Sequence, residues 1–295
     1  MTDRRSGLAT LALLGVTASW GSTFFLIKDL LERIPVADFL ALRFGIAAVA
    51  LFVVSPAAVR RLSPQARRRG LALGAVYGVA QLLQTAGLER TEASVSGFIT
   101  GMYVVATPLL AGWLLREYVP RSVWLAVGLS TGGLAVLSLR GLAVGSGEAL
   151  TLVAALLYAV HIVGLGAWSR ASDAYGLAVL QMAVIAVVAA LPTAYDGITL
   201  PTRADDWAAV VYMAIVCGAL ALLAQTWAQA HLPPTRAAIV MTMEPVFAAA
   251  FAVSLGGEVF TSRMLIGGGL VLAAMYLVEL SPRRHLEGEV PHLAQ

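Results

Sequence analysis

Apolar residues run through this chain in long uninterrupted stretches, and charged residues gather in the short gaps between them. A helix that crosses the hydrocarbon core of a bilayer needs about 20 apolar residues. Ten stretches meet or approach that length: Leu8–Lys28, Val36–Val54, Leu71–Leu88, Ala93–Leu115, Ser122–Leu139, Glu148–Trp168, Tyr175–Leu191, Trp207–Ala228, Thr235–Leu255 and Met264–Leu280. The connectors between them are too short to hold a soluble domain. The strand alternation of a barrel is absent, and lipid admits only helices and closed barrels. The pattern therefore predicts an all-α integral membrane protein, one bundle of ten transmembrane helices. Arg4 and Arg5 ahead of an apolar run have the look of a secretory signal. That run is too long for a signal core, however, and nine more stretches follow it.

Composition agrees with the pattern. Of 295 residues, 59% are hydrophobic and 13% charged, with mean hydropathy +0.82; soluble domains carry about 25% charged residues. The basic residues set the orientation. With both termini on one side of ten spans, that side holds 13 of the 20 Lys and Arg. They are Arg4, Arg5, Arg60, Arg61, Arg67, Arg68, Arg69, Arg116, Arg121, Arg170, Arg236, Arg283 and Arg284. The positive-inside rule then places both termini of a multi-pass membrane protein in the cytoplasm. The five Arg between the second and third stretches read as a topology determinant rather than a nucleic-acid or lipid site, and the net charge of +3 has the same origin. Cys217 is the sole cysteine. It excludes an intrachain disulfide and a cysteine metal cluster, and it reads as a small apolar core residue.

The chain also repeats itself. Shifted by 141 positions, Leu82, Gln84 and Thr85 fall on Leu223, Gln225 and Thr226. Met102 falls on Met243, Val105 on Val246, Glu117 on Glu258, and Gly128-Leu129 on Gly269-Leu270. Positions 80 to 117 give 9 identities in 38 without a gap. Each half carries five stretches. Because five is odd, the second half is expected to cross the membrane upside down relative to the first. Inverted-topology repeats of this kind build transporters around a site at the repeat interface. The expected organisation is a first five-helix repeat at 1–140, a second at 141–285 and a cytoplasmic tail at 286–295.

Polar residues inside the stretches locate the candidate chemistry. Glu244 lies near the middle of Thr235–Leu255 with Pro245 behind it. A charge at that depth costs roughly 2.5–3.5 kcal/mol on insertion scales, so it is expected to face protein or a wet cavity. There it would hold a substrate ammonium group, carry a proton, or satisfy helix ends near Pro245. Helical spacing puts Tyr77, Gln81 and Gln84 on one face, Gly97, Thr100, Tyr103 and Thr107 on another, and Tyr158, His161 and Trp168 on a third. Gln225 and Gln229 also face together, while Trp20, Thr23 and Phe24 come from the first stretch and Gln181 from the seventh. Such groups either line a cavity or bond helix to helix. His161 either carries protons or sits neutral against a neighbouring carbonyl. Trp168 and Trp227, at helix ends, read as membrane-boundary anchors, whereas Trp20 lies deeper and reads as a cavity residue. Arg43, near the end of its stretch, would pair with a carboxylate or helix end, or attract a substrate carboxylate; the structural role is the expectation. Pro108 and Pro245 are expected to kink their helices. Gly74/Gly78, Gly97/Gly101 and Gly128/Gly132 are spaced for close helix contact.

Several of these residues resemble the EamA family of the drug/metabolite transporter superfamily. Ser19-Trp20-Gly21-Ser22-Thr23-Phe24-Phe25 is similar to that family's opening motif, and Arg43 stands where its pattern places an Arg. Gln84-Thr85-Ala86-Gly87-Leu88 followed by Gly97 to Val105 resembles its third and fourth spans. Glu244-Pro245-Val246-Phe247 with Gly257-Glu258 resembles its ninth. The resemblance covers residues 8 to 280. It implies ten spans, two inverted halves, a central cavity, and export of small metabolites, often amino acids, from a bacterial cytoplasm across the inner (plasma) membrane. The chain departs from strict duplication at Val104, which stands where Pro245 would repeat, and at Tyr103, which stands opposite Glu244.

Together these readings predict a secondary transporter that exports small metabolites, amino acids among them, by alternating access. The expected substrate-binding cavity is Trp20, Thr23, Tyr77, Gln81, Gln84, Thr100, Tyr103, Tyr158, His161, Gln225 and Glu244. The alternatives are efflux of lipophilic or cationic drugs and, from another class, an intramembrane binding protein or enzyme without flux. No Gly-x-x-x-x-Gly-Lys loop, His-Glu-x-x-His motif or nucleophile elbow occurs, so no enzyme activity, cofactor or metal is expected. The expected partners are a small-molecule substrate and membrane lipid, with no nucleic acid. The oligomeric state stays open, a monomer being one alternative.

Overall fold

The structure, a computed structural model, describes residues 2–114, 119–140, 143–168, 171–194, 197–229 and 240–280. Arg116, Glu117, Arg170, Arg236, Arg283, Arg284, the 235–239 start of the ninth stretch and the 286–295 tail lie outside the described residues. So does Leu115.

The described chain is helical. In order it forms α1 (Thr2–Leu30), α2 (Val36–Val54), a single turn α3 (Ala58–Arg61), α4 (Pro64–Leu88), α5 (Ala93–Thr100), α6 (Tyr103–Leu114), α7 (Arg121–Ser138) and α8 (Ser146–Trp168). It continues with α9 (Ala174–Ala190), α10 (Ala204–Ala214), α11 (Ala221–Gln229), α12 (Glu244–Ser254) and α13 (Ser262–Leu280). A two-residue ladder, β1 (Leu139–Arg140) against β2 (Ala143–Val144), is the strand structure among the described residues. Among the described residues six segments are long and apolar enough to cross a membrane: Gly7–Leu30, Val36–Val54, Pro64–Leu88, Ala93–Leu114, Ser146–Trp168 and Ala204–Gln225. Four shorter apolar helices accompany them, Arg121–Leu137, Ala174–Ala190, Glu244–Ser254 and Ser262–Leu277. The outer surface fits that setting. Leu11, Val53, Val54, Trp113, Trp124 and Leu265 each stand at least half exposed, a density of apolar surface that water-soluble monomers rarely carry.

Where the helices depart from the sequence expectation, the cause is local. α4 begins seven residues before Leu71 because Ser63 caps it, its hydroxyl accepting from Ala66 N at 3.1 Å, and Pro64 supplies a preset first turn. The fourth stretch is not one helix. It breaks at Gly101–Met102, between α5 and α6. The ninth breaks at Thr242–Met243, just ahead of α12. These two breaks are 141 positions apart. Pro245 therefore stands in the first turn of α12, where its missing N–H costs no helical bond. The expected kink is a helix start. Pro108 lies inside α6, which runs on through it; the interruption in that stretch comes seven residues earlier, at Gly101. The eighth stretch carries a wider, π-helical turn at Ile215–Leu220, which joins α10 to α11.

Close helix pairs rest on small residues. Along α4, Gly70, Gly74 and Gly78 meet Leu180, Val184 and Val188 of α9 in the same order, so the two helices run parallel. A Cβ on Gly74 would come within 2.8 Å of Val184 Cβ. Gly97 packs on Ala248, and Gly101 on Pro245 and Met275. Gly128 and Gly132 break the expectation, having nothing within 4 Å. The contact on α7 is made by Gly133, against the Gly267 carbonyl of α13.

Polar links tie the connections at one end of the bundle. Arg33 reaches Asp29 at 2.5 Å and Asp206 at 2.7 Å. Lys28 donates to the Thr91 carbonyl, and Thr91 donates to Glu148 at 3.2 Å. Glu258 accepts from the Ala93 N–H at 2.6 Å and so caps the start of α5. At the other end Arg69 lies over the Trp168 ring, 5.5 Å from its centroid, and Tyr175 donates to the Leu51 carbonyl at 2.7 Å.

Candidate functional site

Among the described residues a cavity opens inside the bundle, and α1, α2, α4, α5, α6, α8, α11 and α12 contribute to its wall. All eleven residues singled out from the sequence line it: Trp20 and Thr23 from α1, Tyr77, Gln81 and Gln84 from α4, Thr100 and Tyr103 from either side of the first break, Tyr158 and His161 from α8, Gln225 from α11, and Glu244. Spacing along each helix had put these residues on shared faces, and the packing turns those faces inward.

The two breaks meet in this cavity. Tyr103, the first residue of α6, donates from its hydroxyl to Glu244 Oε2 at 3.0 Å, and Glu244 is the first residue of α12. The partners are 141 positions apart. Three further wall pairs share that separation: Trp20 with His161, Gln84 with Gln225, and Thr100 with Met241. Discontinuous helices whose fresh ends face a cavity are a recurring way to build solute sites in membranes.

A chain of hydrogen bonds runs round one side of the wall. Tyr158 donates to Gln84 Oε1 at 2.7 Å, and Gln84 Nε2 donates to Thr100 Oγ1 at 3.0 Å. Tyr77 stacks obliquely on both Tyr158 and His161, with ring centroids at 5.3 and 4.8 Å. His161 Nε2 bonds Gln181 Oε1 at 2.7 Å. The Gln181 amide is oriented by its own bond to the Leu177 carbonyl at 3.3 Å, which leaves Oε1 as acceptor and makes Nε2 of the imidazole the donor. Gln181 is thus a helix-to-helix tie behind the wall. The neighbouring carbonyl that His161 meets is that of a side-chain amide.

The π-helical turn holds the opposite side. A π turn closes its backbone bonds over five residues instead of four and is often found at functional sites. Trp20 Nε1 donates to the Cys217 carbonyl at 2.8 Å, and Arg43 Nε to the Met213 carbonyl at 3.3 Å. Cys217 is a buried core residue, as expected, and its thiol lies 3.4 Å from the Ser19 carbonyl.

Other polar residues stay out of the cavity. Thr107 bonds back to the Tyr103 carbonyl at 2.7 Å, Gly97 is a packing residue, and Trp168 and Trp227 are partly exposed. The Gln229 side chain is not among those described. Conversely, Phe24, Ile27, Arg43, Thr85, Leu88, Ile162 and Met241 also line the cavity. Arg43 had been assigned to structure, and its bond at the end of α10 fits that role, but its place on the wall goes beyond it. Only a map of which face of α2 turns inward could have shown this.

An apolar helical shell around a buried compartment of tyrosines, amides and one acid is the arrangement of a membrane protein that holds a small solute. The chain belongs to the EamA-like transporter family, whose model matches twice, over residues 7–139 and 145–280. The protein is a membrane transporter. It is 27% identical over 275 residues to an uncharacterized transporter of Archaeoglobus fulgidus, covering 93% of this chain and 85% of that one. It is 24% identical over 281 residues to the uncharacterized inner membrane transporter YedA of Escherichia coli K12, covering 91% and 90%. A solved crystal structure shares the fold, with TM-score 0.66 at 17% identity over 92% of this chain and 96% of that chain.

Proposed function

We propose that this transporter exports small zwitterionic metabolites, amino acids among them, from a bacterial cytoplasm by alternating access. In this reading all ten apolar segments cross the inner membrane, both termini are cytoplasmic, and residues 1–140 and 141–285 form two inverted five-helix halves. The observation that carries it is the meeting of Tyr103 and Glu244 across the cavity from two helix breaks 141 positions apart. A site built at the junction of two related halves is open to either side when the halves exchange shapes. The double family match at 7–139 and 145–280 supports the same division. So does the pairing of helices: α2 packs on α9 and α7 on α13, each pair joining segments that correspond under the 141-residue shift. The relative named as an inner membrane transporter supports the location. In the cavity, Trp20, Thr23, Tyr77, Gln81, Gln84, Thr100, Tyr103, Tyr158, His161, Gln225 and Glu244 form the substrate surface. The aromatics take an apolar side chain and the amides and carboxyl its polar end.

The test is uptake into proteoliposomes of the purified chain, with labelled amino acids run beside a quaternary ammonium compound. Trp20→Ala and Glu244→Gln are expected to lower amino acid flux while the protein still purifies as a folded species. Flux of the quaternary ammonium without amino acid flux would replace this reading with cation efflux. Variants as active as wild type would remove those residues from the site.

A further inference from the structure

We propose that Arg43 receives the carboxylate of the substrate, so that the cavity selects small zwitterions by holding both charges, the carboxylate at Arg43 and the ammonium at Glu244. This rests on the transport function proposed above and deepens it.

Arg43 is buried, with 4% of its surface exposed, and stands on the cavity wall. It forms no ion pair with any carboxylate among the described residues, Glu244 included. Its Nε is engaged by the Met213 carbonyl at 3.3 Å, and the guanidinium lies 5.0 Å from the centroid of the Phe44 ring. Those two contacts fix the plane and orientation of the group. They leave the Nη edge, which carries four of the five guanidinium donors, without a hydrogen bond among the described residues and open to the cavity. A guanidinium fork held in this way matches a carboxylate.

A buried cation without a counter-charge is costly, as is a buried carboxylate. This cavity carries one of each, and the two are not paired with each other. A simple anion would satisfy Arg43 but face the Glu244 carboxyl. A lipophilic cation would satisfy Glu244 but face Arg43. A ligand with a cationic and an anionic end satisfies both at once. The sequence departs from its own repeat here in a way that makes the site polar: the position 141 residues beyond Arg43 is Val184, which packs against Gly74. One half therefore brings the cation and the other the acid.

The experiment compares each amino acid with its decarboxylated amine. Proteoliposomes of the full chain take up labelled leucine or phenylalanine while unlabelled isoamylamine or phenethylamine competes. The wild type is expected to discriminate against the amine by about tenfold to a hundredfold, the scale of a lost charge-assisted hydrogen bond. Arg43→Gln is expected to erase that gap, and Arg43→Lys to restore part of it. A merely structural Arg43 would lower amino acid and amine uptake in parallel and leave their ratio untouched. Equal competition by amine and amino acid in the wild type, which needs no variant, would overturn the assignment while leaving amino acid transport standing. Absence of amino acid flux in the wild type, with flux of a quaternary ammonium, would overturn the transport reading and this inference together.

Discussion

Where α5 gives way to α6 the helix resumes at Tyr103; where the ninth stretch resumes as α12 it does so at Glu244. The two positions occupy corresponding places, and the backbone does the same thing at both. The residues responsible differ. At the first break Gly101 is crowded by Met275 and Pro245, at 3.0 and 3.3 Å from where a Cβ would stand, and no proline is needed. At the second, Pro245 sets the first turn. The side chains have diverged further, into a neutral donor and an acid that bond each other at 3.0 Å. Two carboxyls at that distance would repel, and two tyrosines would carry no charge. Shared geometry with unlike chemistry is what lets corresponding positions meet and still form a complementary pair.

The largest effects should expose that inequality. Glu244→Gln keeps an acceptor for Tyr103 but removes the charge, and it is expected to reduce transport about 10- to 100-fold, as for the loss of a charged hydrogen-bonding group. Tyr103→Phe removes only the donor and is expected to cost a few-fold, about 1 kcal/mol. Initial uptake rates in proteoliposomes, normalised to reconstituted protein, measure both. Equal losses would mean that the two positions act as one symmetric unit.

Helix packing gives the next contrast. Gly74→Val forces a branched side chain against Val184 and is expected to destabilise the protein by about 1–3 kcal/mol. Gly128→Val meets open space and should stay within about 0.5 kcal/mol. Thermal unfolding in detergent ranks the two. Glu258→Ala, which strips the cap from α5, is expected to fall between them at about 1 kcal/mol.

These contrasts also mark how far the sequence could be read. The helices, and the stripes Tyr77-Gln81-Gln84 and Tyr158-His161, were legible because helical periodicity fixes which residues share a face. Gly128 and Gly132 misled for the same reason: spacing says two glycines share a face, not that a partner arrives there. The breaks were misplaced at the prolines because proline is the visible disruptor, whereas Gly101 acts through crowding by residues more than 140 positions away. The π turn had no sequence signal, so the Cys217 carbonyl that holds Trp20 could not be foreseen. Arg43 was read as an end-of-span residue although it stands seven residues into α2; that it faces inward depends on how α2 lies against α9 and α10.

The smallest expected effect tests what the prolines do. Pro245 stands at a position whose backbone already suits it, so Pro245→Ala should lose only the restriction on the unfolded chain, about 0.4–1 kcal/mol. Pro108 is inside α6 and cannot donate to the turn before it, so Pro108→Ala should be neutral or stabilising. The break at Gly101–Met102 forms with Val104 where the second half has Pro245. Pro245→Ala should therefore keep the break at Thr242–Met243, and with it the Tyr103–Glu244 bond and transport. Thermal unfolding and uptake on the two variants decide this. A Pro245→Ala protein that is stable but inactive would show that the proline, and not the packing around it, holds the acid in place.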